Sequence, residues 1–588
     1  MQSFKANEKS NFANLPKLAK GLPIETIFLK VPELGVIKKE LGRQTRYFYN
    51  NRLLNTSKWL SELSLSITNE EQLDSEFFKK YIKENTDHEY QMSIERKVID
   101  EDKEDQLLYL KNLFDLREFK KTAYFALKMY DKDNFDNDTF FFYCYSIYLH
   151  ELMKTEDQLV VKKKSAKKIK ITREMEEVNN YLKLHHNKEE LNDLNLFVYA
   201  LILRQEGLDL EAADVLVKIL NINPFFWSAW QELNKIIQSN EKLSDLTVLR
   251  KIKNHWMKNF FSITVLLENV RTHEKYENYC YDICCGLLAF FCNSSFLLST
   301  LAVLFHNISD YQHSLEFFAK IFMVDPYRNE HLDILSNILY VKDMQNELGK
   351  LSLDCFDANK YLPETCCVLG NYHSLIGDHA KAAIYFKRAI TLDRRFLAAY
   401  TLLGHEYLEL KNVSAAIEAY NEAVQINQKD FRAWYGLGQA YELQTHLEFA
   451  LYYFLQALKA NPKDSRMWNA IGNCYKRMEK PEVSRYCLEK AEALKDAEGI
   501  SLFQLGKMYD LLNQKKKAVQ CFEQNLEKKD QTMIVDKETS ETLLYLAYYY
   551  KFNGDNKTAL AYASRLLDFN GFEQQEAQII IQEIKTEN

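Results

Sequence analysis

The sequence predicts an all-α chain, an α-solenoid of about twelve to fourteen helix pairs wound into a superhelix. Three observations carry that expectation. Only 16 Gly and 8 Pro interrupt 588 residues, too few breakers for a fold of many short strands and turns. Hydrophobic residues make up 47% and charged residues 27%, so the chain can bury a large core; Tyr and Phe, at 36 each, give that core its bulk. The chain also repeats itself, with Gly370, Gly404, Gly438, Gly472 and Gly506 spaced 34 residues apart.

Other positions keep the same phase. Leu369, Leu403, Leu437, Ile471 and Leu505 precede the glycines, and Tyr407, Tyr441, Tyr475 and Tyr509 follow them by three. Ala382, Ala416, Ala450 and Ala518 stand twelve after; Phe386, Tyr420, Phe454 and Phe522 stand sixteen after; Ala389, Ala423, Ala457 and Ala491 stand nineteen after. This is the tetratricopeptide pattern, and its residue types have physical reasons. The first helix of each pair presents its fourth, seventh, eighth and eleventh residues on one stripe. A small eighth residue lets the second helix approach closely, and aromatics fill the space between neighbouring pairs. Gly377 suits the turn within a pair, where a left-handed cap favours glycine.

Prolines extend the phase towards the N-terminus, because Pro224, Pro326 and Pro462 lie 102 and 136 residues apart, whole multiples of the period. Repeats are therefore expected to start at 193, 227, 261, 295, 329, 363, 397, 431, 465 and 499. A last one starts near 540, after an insertion of seven residues around 531–536. Those at 227 and 261 are degenerate, with Asn234 and Glu268 where a small residue belongs. Upstream, Leu107, Leu110, Phe114, Ala123 and Leu127 suggest another pair, and Phe142, Tyr145, Ser146 and Leu149 begin a further one. Residues 36–66, with Trp59, read as a divergent first hairpin. The expected organisation is a tail over 1–35, divergent helices over 36–155, and a basic insertion over 156–192. Degenerate repeats follow over 193–294, the regular array over 295–573, and a tail over 574–588. The insertion holds Lys162, Lys163, Lys164, Lys167, Lys168 and Lys170, which read as a solvated loop, with a nuclear-import or phosphate-contacting patch as the other reading.

Nothing in the sequence points to catalysis, a cofactor, a metal or a small-molecule substrate. Gly436 and Gly438 mimic a phosphate loop, but they fall inside an expected helix. Cys280, Cys284, Cys285 and Cys292 lack the histidine or second cysteine pair of a tetrahedral set. No second histidine follows His405-Glu406 at metalloprotease spacing. The 11 cysteines read as reduced, buried thiols of a cytosolic or nuclear protein. A net charge of −7 disfavours a nucleic-acid surface. The N-terminus lacks the apolar core of a signal peptide, and no uncharged apolar run reaches the ~18 residues of a membrane span.

Such an array works through its concave surface. The second, fifth, ninth and twelfth residues of each first helix share one stripe. Ninth positions read Asn337, Asn371, His405, Gln439 and Asn473, a mostly amide ladder able to bond an extended peptide backbone. Glu330, Asp333, Glu364, Tyr435, Asn469 and Glu442 flank it. Carboxylates beside amides and an aromatic ring suit a peptide carrying arginine and a bulky apolar side chain. Capture of a C-terminal carboxylate, as in chaperone-docking adaptors, needs cations instead. Arg432 and Arg466 are available, but the fifth positions Asp333, Cys367, Thr401, Tyr435 and Asn469 carry none. A repeat-regulated transferase would need a catalytic domain for which the chain has no room.

Beyond the generic repeat, residues 325–341, 364–375, 403–412 and 432–441, with Asn337, His405 and Glu406 among them, resemble the cell-division-cycle 23 family, subunit 8 of the anaphase-promoting complex. Residues 301–310, 466–475 and the surroundings of Trp59 agree. The resemblance implies a non-catalytic scaffold subunit of a cell-cycle ubiquitin ligase, found in nucleus and cytoplasm. It also implies a homodimer formed through the N-terminal half, stacking on sister tetratricopeptide subunits, and a C-terminal groove that binds the coactivator's arginine-containing box. Carried over by position, that groove is the stripe from Asp333 to Gln439.

Overall fold

The computed structural model describes residues 31–67, 86–87, 101–129, 136–162, 172–239, 250–269, 274–494, 499–532, 537–567, 569 and 572–587. They form 28 helices, and the one β pairing among them is a two-residue parallel bridge of Val31–Pro32 with Thr86–Asp87. The chain forms two compact units, Met1–Arg328 and Asn329–Asn588.

The first unit holds α1 (Leu34–Asn50), α2 (Leu54–Leu65), α3 (Glu101–Asp115), α4 (Phe119–Met129), α5 (Asn137–Lys162), α6 (Arg173–Asn187), α7 (Asp193–Glu206), α8 (Asp209–Ile222), α9 (Trp227–Ser239), α10 (Met257–Asn269), α11 (Glu274–Phe290), α12 (Ser295–Asn307) and α13 (Tyr311–Val324). The second holds α14 (Leu332–Val341), α15 (Gln345–Asn359), α16 (Pro363–Leu375), α17 (His379–Leu392), α18 (Leu397–Glu409), α19 (Val413–Ile426), α20 (Phe431–Leu443), α21 (Leu447–Ala460), α22 (Ser465–Arg477), α23 (Pro481–Ala493), α24 (Ile500–Leu511), α25 (Lys515–Thr532), α26 (Lys537–Phe552), α27 (Asn556–Leu566) and α28 (Phe572–Glu587). First helices begin within a few residues of the starts read from the period. The largest offset is at α10, which begins four residues early, where Trp256 and Met257 are buried.

The packing rule behind the period is visible at each regular hairpin. A Cβ placed on Gly370, Gly404 or Gly438 would stand 2.4 Å from the ring of Phe386, Tyr420 or Phe454 on the second helix of its own pair. At Gly506 the distance to Phe522 is 2.7 Å. At Gly472, where the sixteenth following residue is Leu488, it is 3.0 Å. Gly436 lies against Tyr420 of the preceding pair, so one ring is clamped between two repeats. Turns within the pairs all use a left-handed residue: Asp343, Gly377, Lys411, Thr445, Glu479, Asn513 and Gly554, with φ from 53° to 86°. Only two are glycine; the others carry a side chain in a conformation that costs roughly 1–2 kcal/mol, so packing on either side imposes the turn.

Three expected boundaries differ in the structure. α5 continues past 155 to Lys162, and α6 fills much of the expected insertion, burying Met175, Val178 and Leu182. Residues 163–170, with most of the lysine run, lie outside the described residues. The expected C-terminal tail is α28, which buries Ala577, Ile580 and Ile584 against α26 and α27. Both helices keep a three-then-four apolar spacing without the small-residue signature, which is why the period alone does not reveal them.

The first hairpin packs far from its neighbours in sequence. Trp59 of α2 stacks on Trp227 of α9, with centroids 4.0 Å apart and rings 6° from parallel. Tyr47 of α1 donates to Asp193 Oδ1 at 2.7 Å, and Arg328 Nη1 pairs with Glu62 Oε1 at 2.7 Å.

The close approach at the glycines is testable by urea denaturation. Gly438→Ala forces a carbon into the Phe454 ring and is expected to cost about 1–3 kcal/mol. Gly42→Ala in α1, where nothing lies within 4 Å, is expected to gain up to about 1 kcal/mol from helix propensity. Shifts of the same sign would contradict the packing rule.

Candidate partner-peptide groove

α14, α16, α18, α20, α22 and α24 are successive first helices of the second unit. Counted from the repeat starts, their fifth, ninth and twelfth positions, and from α16 onwards their second, lie on one stripe beside the small eighth residue that faces the partner helix. Asn337, Gln439 and Asn473 are half-buried there, and their side chains make no hydrogen bond among the described residues. The other two ladder members are committed internally. Asn371 is buried and donates Nδ2–H to Ser336 Oγ of the preceding repeat at 2.9 Å. His405 Nδ1 lies 2.8 Å from the hydroxyl of Tyr420, the clamped ring. The ladder is therefore interrupted in the middle, because these two side chains tie repeats together.

Asp333 and Glu364 are half-buried and pair with no cation among the described residues. Burial pushes the Glu364 carboxyl upwards; its own backbone N–H opposes this, and Asp333, Asp393 and Glu330 add to the rise. Two carboxylates without a cation among the described residues, Asp333 and Glu364, on a partly desolvated wall favour a cationic ligand, which would relieve their repulsion. Tyr435 packs its ring 5.4 Å from Phe454 and so flanks the core as well as the stripe. Glu442, by contrast, is occupied by Arg477 at 3.2 Å.

Position ten of α18 holds a residue whose role the period does not reveal. Ile338, Tyr372, Ala440, Cys474 and Met508 occupy that place elsewhere, but here it is Glu406, a buried carboxylate. Its Oε1 accepts from Ser374 Oγ at 2.7 Å and its Oε2 lies 2.9 Å from His379 Nδ1, joining α16, α17 and α18. The signal was a charge at an otherwise uncharged position. Arg432 and Arg466 are each held by the aspartate capping their own helix. Asp430 Oδ1 accepts from Arg432 Nε at 3.1 Å, and Asp464 accepts from Arg466 Nε at 3.0 Å and Nη2 at 2.7 Å. Among the described residues no group of His, Cys, Asp and Glu is arranged to hold a metal ion, and no helix is long and apolar enough to cross a membrane.

His405 supplies a pH test. Burial, with the Arg432 charge as a second cause, lowers its pKa to about 4, against about 6.5 for an unfolded histidine. The unfolded chain therefore binds more protons across that window, and this residue's contribution to stability falls as pH drops from about 6.5 towards 4. His405→Asn is expected to flatten the decline in urea midpoint between pH 7 and pH 5. Parallel declines in both proteins would contradict the assignment.

Comparison with known proteins agrees with this architecture. Residues 36–302 match the family model "Anaphase promoting complex subunit 8 / Cdc23", and tetratricopeptide models match 363–396, 404–444, 431–464 and 500–527. The chain is 39% identical over 485 residues to anaphase-promoting complex subunit 8 of Arabidopsis thaliana, covering 82% of this chain and 81% of that one. It is 43% identical over 409 residues to the Dictyostelium discoideum subunit 8, covering 69% and 68%. With the human cell division cycle protein 23 homolog it shares 33% over 333 residues, 56% of this chain and 51% of that one. The crystal structure of the Cut9-Hcn1 hetero-tetramer shares the fold, with a TM-score of 0.53 at 17% identity, covering 82% of this chain and 96% of that one. The chain belongs to the Cdc23 family, subunit 8 of the anaphase-promoting complex, and is a tetratricopeptide scaffold subunit.

Proposed function

We propose that this subunit holds the arginine-containing box of the coactivator on the stripe running from Asp333 through Glu364 and Tyr435 to Asn473, and that it acts without catalysing a reaction itself. One observation carries the reading: among the described residues, half-buried amides without partners at Asn337, Gln439 and Asn473 share a stripe with half-buried acids, Asp333 and Glu364, that pair with no cation. An extended peptide supplies donors and acceptors to the amides, and a guanidinium supplies the charge the acids lack. Asn371 and His405 support the wall rather than the ligand, since both are spent on packing.

The informative variant is therefore Asp333→Asn with Glu364→Gln, which removes charge and keeps shape. Binding of a coactivator peptide is expected to weaken by roughly 1–3 kcal/mol, and an Arg→Ala version of that peptide is expected to lose nothing further. Calorimetry on the full chain reads both; unchanged affinity for the intact peptide would remove the assignment.

The same reading includes sister tetratricopeptide subunits as neighbours, a location in nucleus and cytoplasm, and a homodimer made by the N-terminal half. In that half, α3, α4 and the turn joining them leave Leu108 54%, Leu116 70%, Tyr124 64% and Leu127 49% exposed, a group of large apolar residues that suits a protein interface. Light scattering of the purified chain is expected to give the mass of a dimer, and Leu116→Glu with Tyr124→Glu a monomer. A wild-type monomer at micromolar concentration would contradict the dimer.

A further inference from the structure

The second helix α21 is apolar on more than one side. Its 14 residues include only Glu448, Gln456 and Lys459 as charged or amide side chains. The inward side buries Ala450, Phe454 and Ala457, while the outward side leaves Phe449, Tyr452 and Leu455 in solvent. A helix that is apolar all round is ordinarily covered all round. On α23, the second helix of the next hairpin, Val483 and Tyr486 have the same register as Phe449 and Tyr452. The five side chains, 39% to 58% exposed, form one block across two outer helices. At the two shared places the hairpins before and after carry Lys381 and Ile384, Ala415 and Glu418, and Lys517 and Gln520. The block is therefore local and not a product of the repeat. Single exposed apolar residues are ordinary on a surface, but a contiguous group rich in aromatics marks an interface.

The charges at its rim say what kind of surface fits. Glu482, Arg485 and Glu489 of α23 satisfy one another. Exposed Glu448 at the start of α21, and exposed Lys459 and Lys490 near the ends of α21 and α23, make no ion pair among the described residues. The geometry points to a docking site for an amphipathic helix of another chain, which lays its apolar stripe on Phe449, Tyr452, Leu455, Val483 and Tyr486 and sets acidic side chains beside Lys459 and Lys490. Phe449 to Leu455 spans about 9 Å of helix axis. The incoming helix therefore makes contact over about two turns, with apolar residues at i, i+3 or i+4, and i+7. The apolar centre supplies the affinity, and the lysines at one end fix the direction in which the helix lies. The site is on second helices, so it is separate from the peptide stripe on the first helices, and either can fail without the other.

The test uses the assembled complex containing the full chain, with photoreactive benzoylphenylalanine at Tyr452, at Tyr486 or, as the control, at Gln520. Mass spectrometry after irradiation is expected to place the Tyr452 and Tyr486 crosslinks on one acid-bordered helix of a different subunit, and the Gln520 crosslinks elsewhere. That helix is then made as a fluorescein-labelled peptide and titrated with the full chain by fluorescence anisotropy. Tyr452→Ala with Tyr486→Ala is expected to weaken binding at least about tenfold, with a urea midpoint close to that of the parent. Lys459→Glu with Lys490→Glu is expected to weaken it about three- to tenfold and to favour a peptide whose bordering acids are changed to Lys, a gain that misfolding cannot produce. Crosslinks to a second copy of this chain, to a segment without that helical pattern, or to nothing would overturn the proposal. So would peptide binding that ignores Tyr452 and Tyr486.

Discussion

The contact of a small residue with a ring sixteen positions later is the constraint on which the second unit depends. With 2.4 Å between a would-be Cβ and the rings of Phe386, Tyr420 and Phe454, no side chain fits at Gly370, Gly404 or Gly438 without displacing the ring packed on it. That closeness sets the distance between the two helices of a pair. Tyr420, held by Gly404 on one side and Gly436 on the other, carries the spacing on to the next pair. Repeating the contact fixes the side of each first helix that faces inward and therefore the side left over. The proposed ligand stripe is what remains when the eighth position is spent on packing.

Much of this was legible in the sequence because the rule is local and periodic. First-helix starts from α7 onwards lie within four residues of those read from the repeat, and the seven-residue insertion explains why the last left-handed turn falls at Gly554. Segments held by long-range contacts did not show. α6 and α28 have apolar spacing without the small residue, so they read as insertion and tail. The first hairpin docks through Trp59, Tyr47 and Glu62 onto residues 146 to 266 positions away, and no periodicity encodes such a match.

At the stripe, the sequence could name which residues share a face but not which are already engaged. Asn371 and Asn473 are equivalent by position, yet Ser336 takes the amide of one and nothing among the described residues takes the other. Ser336 is itself a departure from glycine in the small-residue row, so its hydroxyl creates the partner that commits Asn371. Glu406 and Glu364 differ likewise: two hydrogen-bonding groups, Ser374 and His379, compensate the first carboxylate, whereas acids surround the second. Burying an acid among acids is unfavourable, and on the proposed function the arginine of the bound peptide supplies the charge that this wall lacks.

The most direct measurement of that claim maps where a ligand's arginine comes to rest. A coactivator peptide with a photoreactive benzoylphenylalanine beside its arginine is bound to the intact chain, irradiated, and located by mass spectrometry after digestion. The account predicts crosslinks concentrated in α14 and α16, next to Asp333 and Glu364. Crosslinks on the second helices of these hairpins, α15 and α17, or spread along the first unit, would contradict it.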